Sequence, residues 1–128
     1  MTIQNKIFDQ LLSIIPDLQT RNKAGNSQLG SESMMDLSLD ILFRENNTAM
    51  IALSHYYKHG SGDLISDPDV VLLVNFDNKT ATARTFQDTF GYQDVMSGGV
   101  INTKLEQSLN EFVVMWNENN ISYGHKIK

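Results

Sequence analysis

A chain of 128 residues with 41% hydrophobic and 20% charged residues can bury one real core, which excludes a disordered or fibrous polypeptide. It contains no cysteine, so disulfides, thiolate metal sites and cysteine nucleophiles are excluded. Ten Lys and Arg against fifteen Asp and Glu give a net charge of -5, the wrong sign for a nonspecific hold on a phosphate backbone.

The N-terminal stretch "MTIQNKIFDQLLSIIPDL" lacks a basic start and a small-residue cleavage site, and no run of about 18 apolar residues occurs. The expectation is a cytoplasmic protein of one domain, residues 1–128, with no membrane and no nucleic acid among its partners. Ile3, Ile7, Phe8, Leu11, Leu12, Ile14 and Ile15 recur at spacings of three and four, which predicts an amphipathic helix ended or bent by Pro16. Residues 19–33, "QTRNKAGNSQLGSES", offer little to bury and are expected to form a polar, mobile loop.

Met35, Leu37, Leu39, Ile41 and Phe43 alternate with Asp36, Ser38, Asp40 and Arg44, the period-two pattern of a strand with one buried face. Asn46 and Asn47 make a turn into a second strand, from Thr48 to Tyr57. "VVLLVNF" at 70–76 is a short apolar run suited to a central strand, and Asp77-Asn78-Lys79 turns the chain into "TATARTF". Connections this short join antiparallel neighbours, so the four strands form a meander. A fifth strand is expected around Tyr92 to Met96.

Asn102 or Thr103 opens a second helix, with Thr103 and Glu106 in a capping-box pattern and Leu105, Leu109, Phe112, Val113 and Trp116 along one face. Two amphipathic helices bracketing the strands most simply share one face of the sheet. The predicted fold is α+β: an antiparallel four- to five-stranded meander with an N-terminal and a C-terminal helix packed on one face. His125, in the terminal "YGHKIK", reads as part of a flexible basic tail.

Chemical groups concentrate in "HYYKHGSGDLISDPD" at 55–69. His55 depends on the strand register. A three-residue loop at 45–47 puts Ile41 opposite Ile51, Leu39 opposite Leu53 and Leu37 opposite His55, with the histidine on the core side. A two-residue loop at 46–47 puts His55 opposite Ser38, between Asp36 and Asp40, because a one-residue slip exchanges the faces of a strand. Hydrophobic matching favours the first. Even in the second, Asp36 and Asp40 are roughly 13 Å apart, too far for a carboxylate dyad.

Asp63, Asp67 and Asp69 could supply oxygen ligands to a hard cation, but Gly62-Asp63 and Asp67-Pro68 are also ordinary turn pairs, and the turn is the preferred reading. His59-Gly60-Ser61-Gly62 lacks the lysine and the helix N-terminus of a phosphate loop. No G-x-S-x-G elbow supports a triad of Ser61 with His55 or His59 and Asp63. Tyr56, Tyr57, Phe86, Phe90 and Tyr92 would gather near one end of the strands, as a core cap or as a binding rim. The candidate binding residues are therefore His55, Tyr57, His59 and Tyr92, and the candidate metal ligands Asp63, Asp67 and Asp69. No cofactor motif is present.

The stretches "LSLDIL" at 37–42, "IALSHYY" at 51–57, "GDLISDPDV" at 62–70, "TFQD" at 85–88 and "LNEFVVMW" at 109–116 resemble a family of small uncharacterised prokaryotic and phage-associated domains of unknown function. The resemblance implies an antiparallel sheet with flanking helices and assigns no catalytic residue. The functional expectation is a non-enzymatic module that binds an unknown protein partner. The alternatives are a metal-dependent enzyme or small-ligand binder centred on 55–69, and a homodimer formed through an exposed sheet face.

Overall fold

The computed structural model describes residues 2–29, 35–58 and 64–128, with the side chains of 57–58 and 64–66 outside the description. Helix α1 (Ile3–Ile14) starts at Thr2, whose side chain accepts from the Asn5 backbone while the Asn5 side chain accepts from Thr2, and it stops two residues before Pro16. Strands β1 (Gly25–Ser27), β2 (Asp36–Glu45), β3 (Thr48–Lys58), β4 (Leu64–Asn75), β5 (Thr80–Asp88) and β6 (Gly91–Asp94) follow. They pair antiparallel in the order β1-β2-β3-β4-β5-β6, so every neighbour in space is a neighbour in sequence.

A two-stranded ribbon, β7 (Met96–Ser97) with β8 (Val100–Ile101), leads into helix α2 (Thr103–Ser122). Asn102 caps α2 by accepting from the Leu105 N–H at 3.1 Å, so the Thr103–Glu106 capping box expected from the sequence is not the one used. Among the described residues no helix is long and apolar enough to cross a membrane.

Six strands replace the expected four to five. The missed one, β1, lies inside the stretch read as a polar loop; three residues, Gly-Asn-Ser, carry no hydrophobic alternation to reveal it. It is a strand because β2 offers it an open edge, with Asn26 opposite Ser38 and Ser27 opposite Leu37.

Both helices lie on one face of the sheet. Phe8 of α1 meets Phe76 edge to face at 5.9 Å, and Phe112 of α2 meets Phe86 at 5.1 Å. The inward rows of the central strands, among them Leu39, Ile51, Leu53, Val70, Leu72 and Val74, are fully buried beneath them. The helices run antiparallel: Lys6 pairs with Glu118 at 3.2 Å and the Gln10 amide donates to the Val114 carbonyl at 3.1 Å. The first two inward residues of β5, Ala81 and Ala83, are small enough for close helix approach. Because β6 covers only Thr85 to Asp88, the Ala83 N–H is left without a strand partner, and the buried Asn110 of α2 accepts it at 2.8 Å.

The β2–β3 hairpin satisfies both readings of its loop. The turn is two residues, with Glu45 opposite Thr48 and Asn46 at φ 55, a left-handed position that asparagine tolerates. Beyond a bulge at Leu42 the register becomes that of the longer loop, with Ile41 opposite Ile51, Leu39 opposite Leu53 and Leu37 opposite His55.

Arg44 points back toward the helical side and fastens the chain that leaves α1. Its guanidinium donates to the carbonyls of Leu18, Gln19 (3.0 Å) and Arg21 (2.8 Å) and lies 5.6 Å from the Phe76 ring centre. Replacing it leaves the partly buried Leu18 and Arg21 carbonyls without this donor. Arg44→Met should lower unfolding stability by about 2–3 kcal/mol in urea titration, and Arg44→Lys should recover less than half because it lacks the planar fork.

Candidate functional site

His55 faces the core. The Trp116 indole N–H donates to His55 Nδ1 at 3.4 Å, leaving Nε2–H to donate to Asn120 Oδ1 at 2.8 Å. The Asn120 amide in turn donates to Asn117 Oδ1 at 3.4 Å, and both asparagines are fully buried. The rings of His55 and His125 stand 5.8 Å apart.

The tail expected to be flexible is therefore a packed element. His125 is buried with Nδ1 2.9 Å from the Ser27 hydroxyl, which also accepts the Lys126 N–H at 3.1 Å. Ile127 is fully buried and its N–H donates to the Ile14 carbonyl at 2.7 Å. Gly25 makes room for it: a Cβ there would stand 2.6 Å from Ile127 Cγ2. "YGHKIK" shows too few apolar residues to announce this, because its anchors are one isoleucine and one histidine.

Burial holds His55 below the usual imidazole range, with the Asn120 hydrogen bond opposing that and His125 adding to it. Burial also lowers His125, opposed by Asp36 and by a hydrogen bond to the Met35 backbone. In the unfolded chain both rings take a proton as pH falls through about 6.5, whereas the folded chain takes them up only at lower pH. The unfolded state then binds more protons, so stability falls with acid below that pH.

Among the described residues, no helix lies on the other face of the sheet. Register places Asn26, Ser38, Ser54, Asp69, Gln87 and Tyr92 in one row that crosses all six strands, each opposite the next. The adjoining row is Asp40, Ala52, Val71, Thr85 and Asp94, and beyond the bulges comes Phe43, Met50, Leu73 and Thr82. On the other flank, Asp36 faces Tyr56. The middle of this face is a trough floored by two small residues of β3, Ala52 and Ser54, which are 9% and 3% exposed. Its rims are high: Phe43 is 49% exposed and Tyr92 60%.

Of the expected site residues, Asp69 and Tyr92 meet in this row, although 23 positions separate them in the sequence. Asp67-Pro68, expected as a turn, lies instead inside β4, in the irregularity between Ser66 and Asp69 where the pairing with β3 shifts, and the Asp67 carboxylate accepts the Thr89 hydroxyl. His59 and Asp63 lie outside the described residues, and for Tyr57 only the backbone, in β3, is described. Among the described residues no three His, Asp or Glu come together as a metal-binding group. The expected aromatic cluster divides: Phe86 turns inward onto Phe112, Tyr56 and Tyr92 turn outward, and Phe90 sits exposed in the β5–β6 turn.

Sequence reasoning had the outward residues of β2, Asp36, Ser38 and Asp40, as a solvent face. What it lacked was the partner across two strands. Asp69 is half-buried, and desolvation together with the Asp40 charge pushes its carboxyl above the ordinary value. The face thus holds a carboxylate pair at a cost to stability.

Unfolding followed at pH 7.5, 6.5 and 5.5 should show stability dropping across the last interval by up to about 1.4 kcal/mol per pH unit for each histidine. His125→Gln should flatten that slope, and an unchanged slope would place the acid sensitivity elsewhere.

Residues 7–125 match the model of a domain of unknown function, DUF6908. No curated protein and no solved structure matches the chain. The match spans nearly the whole sequence, from α1 to His125 of the docked tail, and the chain belongs to the DUF6908 family.

Proposed function

We propose that this chain is a non-enzymatic protein-interaction module that works in the cytoplasm as an inhibitor, immunity or accessory protein of a bacterium or mobile element. The observation that carries the reading is the one-sided sheet. Two helices cover its inner face, while its outer face offers Phe43, Met50, Val71 and Leu73 beside a trough of small residues. Sheets with one face free are normally polar and alternating there, so an apolar row on that side suits a binding surface. The described histidines support the same reading, because both are spent on core hydrogen bonds.

A photo-crosslinking amino acid placed at Phe43, on the free face, tests this against the same substitution at Met115, an exposed residue of α2. In native-host cells the Phe43 position should form a discrete adduct with another protein, and the Met115 position should not. Adducts from Met115 alone would move the binding surface to the helices.

A further inference from the structure

We propose that the partner segment received by this face is basic: a stretch of about ten residues carrying Lys or Arg beside apolar side chains, its cations seated between Asp40 and Asp69. The proposal rests on the interaction-module reading and adds the chemistry of the partner. Asp40 and Asp69 lie in adjoining rows, two strand spacings of about 4.8 Å and two residues of about 3.3 Å apart, so the carboxylates flank Ala52 and Ser54 across a gap roughly 12 Å wide on the diagonal. That width admits an ammonium or guanidinium group with its stem.

Among the described side chains, the paired outward positions of β2 to β6 include Asp36, Asp40, Asp69 and Asp94 and no Lys or Arg, while Arg44 turns inward and Arg84 occupies the β5 bulge; Lys58, paired with Leu64 at the far end of β3, has its side chain outside the description. Asp40 and Asp69 repel each other, and Asp69 has lost part of its hydration. A cation between them relieves both. The apolar row beside them, with Phe43 and Leu73, takes the uncharged part of the segment. Charge also argues against a second copy as the occupant, because face-to-face pairing would set four carboxylates against four. It argues equally against nucleic acid.

The probe is a ten-residue peptide with Lys and Leu at helical amphipathic spacing, compared with its Glu-for-Lys counterpart by fluorescence anisotropy at low and moderate salt. The lysine peptide should bind and weaken as salt rises, and the glutamate peptide should not bind. Asp40→Asn/Asp69→Asn should raise Kd about tenfold, as expected for two exposed ion pairs. The control Asp9→Asn/Glu111→Gln removes the same charge from exposed helix positions and should leave Kd unchanged.

The Asp40/Asp69 variant should also be at least as stable as the parent at pH 7, because its carboxylates cost stability. This outcome separates a binding role from a structural one. Equal affinity in both double variants, or loss of stability in Asp40→Asn/Asp69→Asn, overturns the proposal. A dimer in sedimentation velocity that Phe43→Ala dissolves would identify a second copy as the occupant and also overturn it. Failure of the peptide while the Phe43 crosslink persists removes the basic partner and leaves the interaction module standing.

Discussion

The bulge at Leu42 decides which side of the sheet every residue of β2 and β3 occupies. The turn chemistry of Asn46-Asn47 calls for a two-residue loop, while burial of Leu37, Leu39, Ile51 and Leu53 calls for a register one residue longer. One extra residue in β2 reconciles them. Without it the inner row would face water and His55 would stand among aspartates, since a one-residue slip inverts a whole strand. With it, His55 reaches Trp116 and Asn120, and Asp36 and Asp40 turn to the free face.

From that register the molecule puts its polar groups to two uses. On the helical side they close gaps in the backbone: Asn110 takes an edge N–H, Arg44 gathers loop carbonyls, and Ser27 with His125 docks the tail. Each is a buried or partly buried polar group with a partner, which makes the packing specific. On the free face the polar groups are arranged differently. Asp40 and Asp69 stand diagonally across the small residues Ala52 and Ser54, and partial burial together with the Asp40 charge disfavours the ionised Asp69 carboxyl.

Legibility followed the range of the interaction. Helices α1 and α2 and strands β2 to β5 were readable because each carries its own period in consecutive residues, and short turns left the meander as the sole connection. β1 and the docked tail were not readable. Gly25, Asn26, Ser27, His125 and Ile127 form no pattern by themselves; they are held by contacts between positions about 100 residues apart. The α2 cap went to Asn102 in place of Thr103 because two adjacent residues could both cap, and only the path of the chain chooses between them.

Periodicity, turn residues and composition are local properties, so the two helices, strands β2 to β5, their antiparallel order and the sign of the net charge could be read along the chain. The row from Asn26 to Tyr92, and the approach of Asp40 to Asp69 across β3, came only with the folded sheet. Six strands contribute one residue each to that row, and the contributions align only after the bulges and edge pairings have set the register. A side chain's face has period two and can be read along a strand, but its neighbour across the sheet depends on the whole ladder.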